Sequence, residues 1–212
     1  MSKAYFVPCE EAESEFTEKR SRFIGHVRRI ESEAEARAFL ETIKKKHYDA
    51  RHNCWCYIVH EGGIVRYGDD GEPQGTAGQP MLNVFQREGV EHVVCVVTRY
   101  FGGVLLGAGG LTRAYARSAR DALDAAGKAK MTLWDRLRVS VPYQLFERFT
   151  RLVAARGGVV EDSSYGADVV VTLRLPEGES TLFETTLTEL SGGGVSAERL
   201  NAVFLPGPRE KG

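Results

Sequence analysis

Between Val93 and Ala126 the chain changes character twice, and no other stretch restricts its fold so tightly. Val93-Val94-Cys95-Val96-Val97 is an unbroken run of strand formers. Ala114 to Ala126 is alanine-rich and reads as a helix. The connection, Arg99 to Arg113, holds five glycines: Gly102, Gly103, Gly107, Gly109 and Gly110. A strand, a glycine-rich turn and a helix start bring free N–H groups to the positive end of a helix dipole. That arrangement suits an anion, phosphate above all. Arg99 and Arg113 flank the turn. Arg113 is expected in the first helical turn, where a cation opposes the dipole unless an anion or a carboxylate lies beside it. The same glycines would equally allow strand and helix to pack closely with no ligand. The loop lacks the Gly-Lys-Ser/Thr of a phosphate loop, and Gly107-Ala108-Gly109 lacks the third glycine of a dinucleotide fingerprint.

A chain of 212 residues, 42% hydrophobic, makes one or two compact domains. Its formal net charge of −1 excludes a global attraction to nucleic acid or membrane, so any nucleic-acid contact must come from a local patch. Cys9, Cys54, Cys56 and Cys95 are too few and too irregular for a disulfide framework and are expected as free, buried thiols in a reducing compartment. No apolar run reaches membrane-spanning length and no signal peptide is legible, so a cytoplasmic location without a membrane partner is expected.

Glu15 to Arg29 reads as extended chain with a turn at Arg20-Ser21. Ser32 and Glu35 form a capping box for a helix over Glu33 to Lys46, with Ala36, Phe39, Leu40 and Ile43 on one face. The terminal Lys44-Lys45-Lys46 run is favourable at a helix C-terminus and needs no ligand. Cys54 to His60 alternates as a strand, and Gly62-Gly63 leads back through Ile64 to Tyr67. Asp69 to Pro80 is a loop, and Pro80 opens a short helix with Met81, Leu82 and Phe85 inward. A boundary falls at Gly127 to Asp135. Beyond it the pattern is strand (Leu137 to Val141), helix (Leu145 to Val153), two strands (Val159-Val160 and Val169 to Leu175), helix (Leu182 to Leu190) and a weaker strand (Val195 to Val203). This is the β-α-β-β-α-β order of a ferredoxin-like domain. The tail after Pro206 is expected to be disordered.

His47, His52 and His60 lie near Cys54 and Cys56 but match no zinc spacing, and no metal or cofactor is expected. Asp69, Asp70 and Glu72 could hold magnesium beside a phosphate, although an Asp- and Gly-rich turn accounts for them more simply. Tyr100 and Phe101 adjoin Arg99, and Trp55 follows Arg51-His52-Asn53. Exposed rings beside cations can stack bases while arginines hold phosphates. Trp55 is expected in the core.

Several long strings resemble the IMPACT family, in particular its bacterial YigZ-type members. They are Asp69-Asp70-Gly71-Glu72-Pro73-Gln74-Gly75-Thr76-Ala77-Gly78-Gln79-Pro80-Met81-Leu82 and Val97-Thr98-Arg99-Tyr100-Phe101-Gly102-Gly103-Val104-Leu105-Leu106-Gly107-Ala108-Gly109-Gly110-Leu111. Lys19-Arg20-Ser21-Arg22-Phe23-Ile24 and Ala50-Arg51-His52-Asn53-Cys54-Trp55 also resemble motifs of that family. The resemblance implies an α+β chain in two parts. Residues 1–130 would form an α/β domain like those of a small-subunit ribosomal protein and of elongation factor G, and residues 135–206 a ferredoxin-like βαββαβ domain. Eukaryotic members regulate translation by competing for an activator of a stress-responsive kinase, a role not expected to transfer because their partner-binding extension is absent here. The expectation is a non-catalytic binding protein that recognises RNA or the ribosome. Arg22, Arg51, His52, Arg99 and Arg113 would contact phosphates, with Tyr100 and Phe101 beside them. The backbone from Gly102 and Gly103 to Gly107, Gly109 and Gly110 would cradle one phosphate, faced by Gly75, Thr76, Ala77 and Gly78. The alternatives are an enzyme using magnesium on a small phosphorylated substrate and a protein–protein adaptor.

Overall fold

The computed structural model describes residues 5–210. In chain order its elements are β1 (Phe6–Pro8), β2 (Ala12–Glu18), β3 (Ser21–Arg29), α1 (Glu33–Lys46), β4 (His52–Val59), a 3-10 turn (Glu61–Gly63), β5 (Ile64–Gly68), α2 (Gly78–Glu88), β6 (Val93–Tyr100) and α3 (Ala108–Ala126). There follow β7 (Lys128–Val141), α4 (Tyr143–Ala155), β8 (Val159–Tyr165), β9 (Val169–Pro176), α5 (Ser180–Ser191), β10 (Ala197–Arg199) and β11 (Val203–Arg209). This α+β chain divides into two compact units, Met1–Lys130 with Pro208–Gly212, and Met131–Gly207.

The first unit is built on a five-stranded sheet, β2-β3-β6-β4-β5, antiparallel at every pairing. The central strand β6 is apolar on both faces because both are covered. Val93, Cys95 and Val97 join Met81, Phe85 and Tyr115 of α2 and α3 in one cluster. Val94 and Val96 join Phe39 and Ile43 of α1 in another. Trp55 packs on the α1 face, half-buried and stacked on Tyr57 at 5.5 Å. The α1 cap forms as its sequence predicts: the Glu35 amide donates to Ser32 Oγ at 3.3 Å, and the Glu35 carboxylate accepts from the Glu31 amide at 3.0 Å. α3 lies close on β3 because Gly25 has no side chain there; a Cβ would sit 2.5 Å from the Ser118 carbonyl oxygen.

The second unit pairs its strands in the order β10-β7-β9-β8, antiparallel throughout. With α4 and α5 as crossovers this is the ferredoxin-like arrangement. Alternate strand residues such as Leu137, Val139, Val171 and Leu173 bury against Phe149 of α4 and Phe183 of α5.

Several boundaries differ from the sequence reading. α3 begins at Ala108, six residues before the alanine-rich stretch, so Gly109 and Gly110 are helical and Arg113 lies in the second turn. The helical cost of each glycine, about 1 kcal/mol, is offset by burying Leu111. The hairpin turn falls on Lys19 and Arg20, both at positive φ. The boundary region from Lys128 is continuous strand. The tail beyond Pro206 is ordered through Arg209 as part of β11, since the backbone of β7 offers it hydrogen bonds that a proline-containing segment does not advertise in sequence.

Candidate anion-binding cleft

The end of β6 and the start of α3 wall a cleft of about 360 Å³. Arg51, His52, Glu72 and Arg99 form its polar side; Pro73, Phe101, Leu105, Leu106 and Leu111 form its apolar side. Gly107 and Ala108 close one end. Gly107 takes φ 73°, which favours glycine, and turns the chain into α3. The helix opens with the Leu111 amide donating to the Gly107 carbonyl at 2.9 Å. No side chain caps it. The amides of Ala108, Gly109 and Gly110 precede the first intrahelical bond and carry the positive end of the dipole.

The floor of the cleft is a buried charge network. Arg99 Nη1 donates to Glu72 Oε1 at 2.6 Å and Nη2 to Ser21 Oγ at 3.3 Å. The Tyr115 hydroxyl donates to the same Glu72 oxygen at 2.8 Å. Burial pushes the Tyr115 phenol well above its ordinary range, so it stays a donor. His52 Nδ1 lies 2.8 Å from the Asp70 carbonyl oxygen, which places a hydrogen on Nδ1, and Nε2 lies 3.9 Å from Glu72 Oε1. The Arg99 guanidinium lies over the rings of Phe23 and Phe101, each at 5.5 Å. Its Nε is buried without a partner. Arg99 is therefore a wall of the cleft whose charge Glu72 already balances. Arg51 is exposed and carries no ion pair among the described residues.

Other residues placed in the site by sequence lie elsewhere. Arg22 pairs with Glu15 at 2.7 Å and does not line the cleft. The Tyr100 hydroxyl donates to Asp49 at 3.0 Å and meets His47 Nδ1 at 3.0 Å, away from the cleft. Arg113 lines a neighbouring groove. Gly102 is a packing glycine: its amide donates to Ser21 Oγ at 3.3 Å, and a Cβ would sit 2.0 Å from the Arg20 carbonyl. Gly103 takes φ 84° in the turn. Gly109 and Gly110 shape the first turn of α3, and a Cβ on Gly110 would press on Leu106 at 3.0 Å.

Gly75, Thr76, Ala77 and Gly78 do not face the ligand space as an open wall. Asp69 Oδ2 accepts from the Gly75 amide at 2.8 Å, and Oδ1 accepts from Ala77 at 3.1 Å and Gly78 at 2.8 Å. The Thr76 hydroxyl donates to the Pro73 carbonyl at 2.6 Å. The N-terminus of α2 thus already holds an anion, and it belongs to the chain. Asp70 is equally engaged, accepting from the Asn53 amide at 2.6 Å. Asp69 and Asp70 are thus both engaged by backbone amides, and no group of three or more His, Cys, Asp or Glu side chains able to hold a metal ion is found among the described residues. Cys54, Cys56 and Cys95 are free and buried, whereas Cys9 is exposed, contrary to expectation. Burial pushes the Cys54 thiol up, and the thiol donates to the Asp69 carbonyl at 2.9 Å. Sequence reasoning missed Tyr115 as a member of this network. A lone tyrosine on the inward face of an alanine-rich helix was the available signal.

Near Tyr100 a second buried group has a pH consequence. His26 is 4% exposed, 3.3 Å from Glu13, with its ring 5.2 Å from that of His47. Burial holds it down to about 4, assisted by Lys46 and His47 and opposed by Glu13. Its folded value lies below its unfolded one, so the unfolded chain binds the extra proton and stability is lost as pH falls from about 6.5 to 4. The expected loss is roughly 3 kcal/mol. Glu13, itself held low chiefly by its hydrogen bond to Lys46, adds a further loss below its ordinary range. Urea denaturation across this window should show the slope in the parent and a flatter profile in His26→Gln.

The chain's relatives bear on this geometry. The Impact N-terminal domain model matches residues 19–123, which contain every cleft residue named above. A member YvyE from Bacillus subtilis is 37% identical over 91% of this chain and 89% of its own length. The chain belongs to the IMPACT family. YigZ, an IMPACT family member from Escherichia coli, is 33% identical over 84% of this chain and 88% of its own. An IMPACT homologue of Dictyostelium discoideum is 38% identical over 96 residues, 43% of this chain and 27% of its own. A domain of unknown function (DUF1949) matches residues 139–193, inside the ferredoxin-like unit. A solved structure titled as that of a hypothetical protein superposes with a TM-score of 0.59 at 29% identity, covering 95% of this chain and 99% of that one. Among the described residues of this IMPACT chain, no helix is long and apolar enough to cross a membrane.

Proposed function

We propose that the cleft binds a phosphate of RNA, and that this IMPACT family member is a cytoplasmic, RNA- or ribosome-binding protein acting in translation. The observation that carries the reading is the contrast between two helix starts in one unit. α2 begins under a resident carboxylate, Asp69. α3 begins under none, beside an unpaired Arg51 and at the end of a cleft with an apolar wall. A phosphate on the α3 amides would complete both the dipole and the Arg51 charge. Phe101, 44% exposed, offers a face to a base.

A substitution that separates binding from stability tests this. Ala108→Asp puts a carboxylate into the first turn of α3. It should hold or raise stability, by up to about 1 kcal/mol, while cutting affinity for a short single-stranded RNA at least tenfold in fluorescence anisotropy. Unchanged RNA affinity in a stably folded variant refutes the cleft as the phosphate site.

A further inference from the structure

We propose that the ligand is an oligonucleotide strand of about three nucleotides or more, which crosses the first turn of α3 into a second, cationic subsite. The proposal rests on the cleft reading and gives the ligand a length. On the far side of Leu106 from the cleft lies a groove between α3 and the β2–β3 hairpin. Leu106 lines both cavities, and Gly110 opens onto the groove as Gly107 and Ala108 open onto the cleft. Three cations line the groove: Lys19, Arg113 and Arg117. Arg117 lies 4.3 Å from the Phe16 ring centroid and is paired with Asp121. Lys19 and Arg113 are both exposed, and neither has an ion-pair partner among the described residues. Among the described residues, Glu18 is the one carboxylate lining the groove.

Scale decides what can use both cavities. A helix with its side chains is about 10–12 Å across, and a strand with stacked bases advances about 3.4 Å per nucleotide along its axis. A single phosphorylated metabolite fills one cavity. A strand of three or more nucleotides reaches from the α3 amides over Leu106 to Lys19 and Arg113. Arg113, set apart from the cleft, thereby gains a role as a backbone contact that carries no sequence information.

The test compares hexauridylate with uridine monophosphate, in the parent and in Lys19→Gln/Arg113→Gln. Both changes lie on the surface, and circular dichroism checks the fold. In the parent the hexamer should bind at least tenfold more tightly than the monophosphate. The double variant should lose most of that advantage, and its log–log salt slope for the hexamer should shrink by about 1.4, or 0.7 for each phosphate contact removed. Monophosphate affinity should not change. Equal hexamer affinity and salt slope in parent and variant overturn the groove, as does a parent that binds both ligands equally; the cleft reading survives either result. A parent that binds neither ligand removes the cleft reading and this inference together.

Discussion

Glu72→Ala is expected to cost about 3–5 kcal/mol of folding free energy, because it leaves a buried guanidinium uncompensated. Side-chain exposure is 6% for Arg99 and 3% for Glu72, so water cannot replace the lost partner. The Tyr115 hydroxyl would lose its acceptor in the same step. Urea denaturation followed by circular dichroism measures the loss. The double variant Glu72→Leu/Arg99→Met should recover much of it, since replacing both members of a buried pair with apolar groups of similar volume is often near neutral. A Glu72→Ala protein within about 1 kcal/mol of the parent would mean that Arg99 finds another acceptor, and the floor of the cleft would have to be redrawn. The double variant has a second use. Phosphate affinity retained in it shows that the α3 amides and Arg51 suffice, and that Arg99 serves as wall rather than contact.

Asp69→Ala should be the next most damaging change, at about 2–4 kcal/mol. Three amides lose a charged acceptor: Gly75, Ala77 and Gly78. A hydrogen bond to a charged group contributes about 1.5–3 kcal/mol. Gly75 is exposed and can turn to water, whereas Ala77 and Gly78 are buried, so the sum is discounted. Asp69→Asn keeps an acceptor at one position and should lose about half as much. Denaturation midpoints of the two variants read out the difference. An Asp69→Ala loss below about 0.5 kcal/mol would contradict the view that this carboxylate caps α2. The comparison also bears on the proposed function: a carboxylate supplied in the chain stabilises the start of α2, while no side chain among the described residues caps the start of α3.

Much of the architecture was legible because it depends on local rules. The Ser32 and Glu35 cap, the helix over Glu33–Lys46 and the alternation of β4 follow from hydrogen-bond geometry and side-chain period. The ferredoxin-like unit was readable because Leu137, Val139 and Val141, then Phe149 and Val153, keep strict periods. Gly109 and Gly110 misled the reading of α3, because helix propensity disfavours glycine while the packing of Leu111 rewards continuing the helix.

The site was legible only in part. Arg51, His52, Arg99, Phe101 and Gly107 do meet around one cleft. Arg22 and Tyr100, adjacent in sequence to cleft residues, lie outside it, because alternate residues of a strand point to opposite faces of the sheet.

The order of amino acids alone determined the strand, the glycine turn, the helix and the two-part α+β layout, since each rests on contacts among residues close in the chain. Which charges are available for a partner was decided only in three dimensions. Glu72 meets Arg99 across 27 positions, and Asp69 reaches Gly78 across nine. Whether a guanidinium or an amide is already satisfied depends on such distant pairings, which sequence spacing does not encode.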